Sequence, residues 1–122
     1  MKKDNVVQIK SFDFALRIIE TYKYLKEEKH EFIMSKQLLR SGTSVGANIE
    51  EAIGAQTDKD FFMKITISYK EMRETIYWIK LLKFSSYLEV ERADYLLKDA
   101  DELIRIIGSI QKTLKIKLGL NK

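Results

Sequence analysis

The residues best suited to chemistry lie in two stretches of the chain. Glu51 and Glu71 are candidates for a carboxylate pair, the arrangement general acid–base work requires. Ser44 and Asn48 precede Glu51 at four- and three-residue spacing, so on a helix they share its face and would orient a ligand there. A nucleophilic Ser44 needs a base within reach, and the sequence offers none. The chain has one histidine, His30, and no cysteine. That composition excludes paired-imidazole sites, thiol chemistry, disulfides and Cys-based zinc sites. The Glu-x-x-His pairs of di-iron bundles are absent, and there is no phosphate loop. No catalytic, cofactor-binding or metal residue is expected, and His30 reads as a solvated turn residue.

These polar groups have a structural reading as well. Gln37, Ser41, Ser44, Asn48 and Glu51 recur in a 4-3-4-3 pattern, and Ser68, Glu71, Thr75 and Trp78 in a 3-4-3 pattern. Two such stripes on adjacent helices satisfy each other by hydrogen bonds. Beside the first stripe, Gly42 and Gly46 share a face and let a neighbouring helix approach closely. Two glycines inside a helix cost about 2 kcal/mol relative to alanines, so tertiary packing must compensate.

The elements that position these stripes follow from apolar periodicity. Spacing of three and four runs through nearly the whole chain, which has no proline. Four helices are expected, at about 8–28, 32–55, 58–85 and 89–117. The first would bury Phe12, Ala15, Leu16, Ile19, Tyr22 and Leu25. The second would bury Leu38, Gly42, Val45, Ile49 and Ala52. In the third, Phe62, Ile65, Tyr69, Met72, Ile76 and Ile79 make the seam. In the fourth, Ala93, Leu96, Ala100, Leu103, Ile107, Ile110 and Leu114 keep strict spacing. Lys29-His30-Glu31 breaks the first helix, Thr57 or Asp58 caps the third, and residues 118–122 read as a frayed tail. Short connections predict an all-α, up-down-up-down antiparallel four-helix bundle as a single domain over residues 1–122.

Charge adds a direction. The chain has 22 Lys and Arg against 18 Asp and Glu, a formal +4. No acid follows Glu102, and residues 103–122 carry Arg105, Lys112, Lys115, Lys117 and Lys122. A basic end of this kind suits either phosphate contact or simple complementation of the helix dipole. The N-terminus lacks a signal-peptide pattern and no run is long enough to span a membrane, so a cytoplasmic protein without membrane association is expected.

Gln37-Leu38-Leu39-Arg40-Ser41, Ser44-Val45 and Asn48-Ile49-Glu50-Glu51-Ala52 together resemble the signature of a bacterial four-helix-bundle family. These are the proteins associated with intervening sequences in 23S ribosomal RNA. Ser68-x-x-Glu71-x-x-Glu74-Thr75-x-x-Trp78 resembles the family's third-helix pattern. The chain departs at Glu50, where the family usually has Ala, and at Ala52, where it usually has Gly. The resemblance covers about residues 9–115 and implies a left-handed bundle assembled as a homopentameric ring. It brings no catalytic residue and no cofactor.

In such a ring a modest positive monomer charge would multiply into a surface that binds polyanions. Lys70, Arg73, Lys80 and Lys83 on the third helix and Lys112, Lys115 and Lys117 on the fourth are the candidate nucleic-acid contacts, with RNA the leading partner. No base-reading motif is present, so little sequence preference is expected. The rival is a protein-interaction scaffold with a protein partner and no direct nucleic-acid role. Phe14, Tyr24, Phe61, Tyr77, Phe84 and Tyr87 fall off the seams and are candidates for subunit contacts.

Overall fold

A computed structural model describes residues 2–120, with side chains from residue 6 onward. Among the described residues there are four helices and no strand: α1 (Lys2–Glu27), α2 (Met34–Ile53), α3 (Asp58–Phe84) and α4 (Val90–Lys117). Consecutive helices pack together and α4 returns against α1, while the diagonal pairs α1/α3 and α2/α4 stay apart. Side-chain pairs such as Gln8–Glu50, Arg40–Glu74, Lys83–Asp94 and Arg17–Asp99 join neighbouring helices, and residue numbers fall along one helix as they rise along the next. No helix among the described residues is long and apolar enough to cross a membrane.

The expected seams of α2 and α4 are buried residue for residue. That of α1 is not. Its buried line is Val7, Ser11, Phe14, Ile18, Thr21 and Leu25, whereas Phe12 is 62% exposed and Leu16 49%. The helix carries two apolar stripes, and the one facing the core is interrupted by two hydroxyl residues. Ser11 and Thr21 tolerate burial because each donates to a carbonyl of its own helix, Gln8 O at 3.0 Å and Arg17 O at 2.8 Å. Val7 extends the same line, and α1 begins at Lys2 rather than near residue 8. Phe14 is therefore core, which removes it from the candidate subunit contacts, while Tyr24 and Phe61 are half-buried against the core. Tyr77, Phe84 and Tyr87 stay exposed.

In α3 the buried line is Ile65, Ser68, Met72, Thr75, Ile79 and Leu82, with Phe62, Tyr69 and Ile76 half-buried on its flank. The polar stripe thus lies at the centre of the helix's core face.

The termini are capped locally. Thr57 accepts the amide N–H of Asp60 at 3.0 Å and starts α3. α2 is started by Glu31, whose buried carboxylate accepts the N–H groups of Ile33, Met34 and Ser35 at 3.2, 3.0 and 2.7 Å. The turn before it is made by His30 in the left-handed region at φ 54°. Leu118 to Leu120 form a cap rather than a frayed tail: Gly119 takes φ 71° and Leu120 N–H returns to Lys115 O at 2.8 Å. Asn121 and Lys122 lie outside the described residues.

Candidate nucleic-acid interface and the inter-helix polar stripe

The two stripes meet between α2 and α3. Ser68 donates to Val45 O at 2.9 Å, and the Thr75 and Ser41 hydroxyl oxygens lie 2.9 Å apart, all three residues being buried. Asn48 donates within its own helix, to Ser44 O at 2.9 Å and Ser44 Oγ at 3.1 Å. Gln37 is exposed and makes no side-chain hydrogen bond among the described residues.

Around this buried centre stand ion pairs. Arg40 reaches Glu71 Oε1 at 3.6 Å and Glu74 Oε2 at 2.7 Å. The indole N–H of Trp78 donates to that same Glu74 oxygen at 2.9 Å. The Trp78 hydrogen bond holds the Glu74 carboxyl below its usual range; burial works against it, and Arg40 adds to the lowering. At the next level Lys64 meets Glu51 Oε1 at 2.8 Å, and this hydrogen bond and charge raise the lysine's affinity for its proton.

The two candidate catalytic carboxylates therefore have different cationic neighbours. Glu51 belongs with Lys64, and Glu71 stands beside Arg40, which binds Glu74 more closely, so Glu51 and Glu71 do not form a carboxylate pair. Ser44 has only an amide as its side-chain neighbour, which accepts no proton. What this cluster can do chemically is fix the register of α2 on α3. The sequence placed Glu74 in the third-helix pattern and Glu31 in the break after α1, but assigned neither of them a role in the polar stripe or in capping α2. The signal for Glu74 was its four-residue spacing to Trp78. That for Glu31 was an acid four residues before Ser35, whose hydroxyl donates back to Glu31 O at 2.8 Å.

The glycines serve the other side of α2. A Cβ on Gly42 would lie 2.8 Å from Cγ1 and Cγ2 of Ile18, and one on Gly46 would lie 3.3 Å from Ser11 O. Both glycines therefore bring α1, not α3, close.

The candidate nucleic-acid contacts divide in two. Lys83 is bound to Asp94 at 2.7 Å and Lys117 to Asp58 at 2.9 Å, which ties both to acids. Lys70, Arg73 and Lys80 on α3 and Lys112 and Lys115 on α4 are exposed and have no acidic partner among the described residues. Arg73 and Lys80 line a groove of about 300 Å³ with Ile76, Tyr77 and Ile104. Farther along the same α3/α4 junction, Gly108 meets Tyr69 and Gln111 bonds Thr66 at 3.2 Å. Lys115 continues the 4-3-4 line of Ile104, Gly108 and Gln111. Of the five unpaired bases, Arg73 and Lys80 thus line this inter-helix groove and Lys115 continues its α4 side. Among the described residues no group of three or more His, Cys, Asp or Glu is placed to hold a metal ion.

The family model described as 23S rRNA-intervening sequence protein matches residues 3–109. Among solved structures, the chain is similar to a protein with unknown function from the S23 ribosomal protein family of Bacteroides thetaiotaomicron VPI-5482. The two share 49% identity and superpose with a TM-score of 0.89, over 90% of this chain and 98% of that one. No curated protein matches.

Proposed function

The chain belongs to the 23S rRNA-intervening sequence protein family, and from that premise we propose that it is a non-enzymatic, cytoplasmic RNA-binding bundle. In this reading the bundle is left-handed and up-down-up-down, assembles as a homopentameric ring, and binds nucleic acid through its basic helix faces with little sequence preference. The observation that carries the reading is the set of five cations, Lys70, Arg73, Lys80, Lys112 and Lys115, that find no acidic partner while their neighbours Lys83 and Lys117 do. Bases held free of intramolecular acids are available to phosphates, and a ring multiplies them.

The test is fluorescence anisotropy with structured RNA and duplex DNA of equal length over a salt series. Micromolar or tighter binding that weakens steeply with salt is expected, with RNA preferred. Absence of binding to either at low salt would overturn the reading. A second reading, a protein-interaction scaffold, draws on the exposed apolar residues of α1, Ile9, Phe12 and Leu16. Partner binding would then persist at high salt, because apolar contact is not screened.

A further inference from the structure

Tyr77 on α3 presents an aromatic ring between two cations. Its side chain is 56% exposed, and it lines the α3/α4 groove of about 300 Å³ with Arg73, Ile76, Lys80 and Ile104. Arg73 lies four residues before it and Lys80 three after, so both share its face of the helix. Ile76 and Ile104 are half-buried against the core and give the groove an apolar floor. Behind Tyr77 stands Trp78, itself packed on the core, with the two ring centroids 5.2 Å apart and the planes inclined at 66°. The indole bond to Glu74 at 2.9 Å fixes Trp78 and so gives the Tyr77 ring a firm neighbour.

Other rings of the chain are engaged differently. Arg92 lies over Tyr24 at 4.0 Å, Arg17 over Tyr95 at 5.5 Å and Lys83 over Phe84 at 5.3 Å. Among the described residues no cation covers the Tyr77 ring, although Arg73 and Lys80 flank it. The acids nearest in the chain do not neutralise those two cations. Glu74 is engaged by Arg40 at 2.7 Å, and Asp101, three residues before Ile104, by Arg105 at 3.0 Å. This stretch of groove thus combines a free π-face, an apolar floor and two positive charges. Its lining has no amide or carboxylate side chain to read the edge of a nucleobase.

We propose that this groove takes unpaired RNA, one nucleobase stacking on Tyr77 while Arg73 and Lys80 hold the phosphates on either side. The inference rests on the RNA-binding reading above, which supplies the polymer; the groove adds the preference for a single strand. Arg73 and Lys80 alone would accept a duplex, because phosphate contacts carry no information about the nucleobases. Stacking on an exposed aromatic ring needs a nucleobase that has left its helix. Every nucleobase has a π-face, so stacking of this kind is tolerant of sequence. Tyr77 is then a ligand contact rather than a subunit contact. A partner copy seated there would have to set acids against both flanking cations.

The experiment measures the anisotropy of labelled oligouridylate with the full chain, as a single strand and annealed to oligoadenylate, over a salt series. The unaltered protein is compared with Tyr77→Ala, with Tyr77→Phe, and with Arg73→Ala and Lys80→Ala combined. All three positions are exposed, and circular dichroism checks that the fold is kept. The expected result is tighter binding of the single strand than of the duplex at moderate salt. Tyr77→Ala should weaken single-strand binding about tenfold or more without changing its salt slope or the duplex affinity, while Tyr77→Phe retains it. The Arg73→Ala, Lys80→Ala protein should instead lower the salt slope by about 2. The emission of Trp78, the chain's one tryptophan, should change when the single strand binds, because its ring packs against Tyr77. Single-strand binding that survives Tyr77→Ala, or a duplex bound as tightly as the single strand, would overturn the stacking inference and leave RNA binding standing. No binding of either form at low salt would overturn both.

Discussion

The hydroxyl oxygens of Ser41 on α2 and Thr75 on α3 lie 2.9 Å apart in a region closed to solvent, and Thr75 Oγ1 is also 2.8 Å from the carbonyl of Glu71. One hydroxyl proton cannot serve both contacts. When Thr75 gives its proton to Glu71 O, Ser41 supplies the proton of the inter-helix bond. The two residues then differ in what their removal leaves behind.

Thr75→Val strands the buried Ser41 hydroxyl and should cost about 1–3 kcal/mol. Ser41→Ala leaves Thr75 bonded to its own helix and should cost less, about 1 kcal/mol. The double variant should be less destabilised than the sum of the two. Urea unfolding of the four proteins measures this, and strict additivity would contradict the shared bond.

Gly42 and Ile18 define the closest approach of α1 to α2. Gly42→Ala places a methyl 2.8 Å from two branch atoms of a fully buried side chain. Overpacking of about 1–3 kcal/mol should outweigh the helix-propensity gain of about 1 kcal/mol. In an Ile18→Ala background the same change should become neutral or stabilising. The readout is again the unfolding midpoint, and equal cost in both backgrounds would refute the steric account.

Glu31 holds three amide N–H groups at the start of α2. Glu31→Ala should cost about 2 kcal/mol, the upper end of cap losses, because the N–H of buried Ser35 loses its partner. Hydrogen exchange should localise the loss to the first turn of α2. Uniform acceleration across all four helices would argue for global rather than local unfolding.

Glu74 titrates lower in the folded protein than in the unfolded chain, chiefly through the Trp78 hydrogen bond. Its contribution is therefore present above the unfolded carboxyl value of about 4.3 and fades as pH falls through the lower folded value. Its side chain is 34% exposed, so solvent screening keeps the contribution small. Glu74→Gln should lower stability at pH 7 and have little effect near pH 2. Denaturation at the two pH values checks the sign, and a larger loss at the acidic value would reverse it.

For the nucleic-acid reading, Lys112→Ala with Lys115→Ala should lower the salt slope of RNA binding by about 2, one unit for each phosphate contact removed. Lys117→Ala should change it less, since Lys117 is engaged by Asp58 at 2.9 Å. Equal effects of all three positions would argue for a diffuse basic end rather than contact at the two unpaired lysines.

How much of this was legible in the chain varied with the helix. The seams of α2 and α4 were readable because each has one dominant apolar period. The α2 stripe was readable too, as two small hydroxyls and two glycines at regular spacing have few uses other than close packing. Glu51 and Glu71 looked like a pair in sequence, yet the neighbouring helices set Glu51 against Lys64 and Glu71 beside an Arg40 that it shares with Glu74. Similarly, spacing marked Lys83 and Lys117 as candidate contacts, but the acids that occupy them come from other helices, α4 and α3 respectively.

Four helices, the breaks between them, an N-cap at Thr57 or Asp58 and the small-residue face of α2 were all readable from the chain, because they depend on local periodicity and on side chains acting within a turn or two. Which of α1's two apolar stripes is core was settled by the packing of the four helices. Hydrophobicity ranked Phe12 and Leu16 above Ser11 and Thr21, but the hydroxyls satisfy themselves on their own helix and so go inside at small cost. The packing also decided which charges are free, since an ion pair depends on what stands opposite, and the residue opposite is set by how the helices pack.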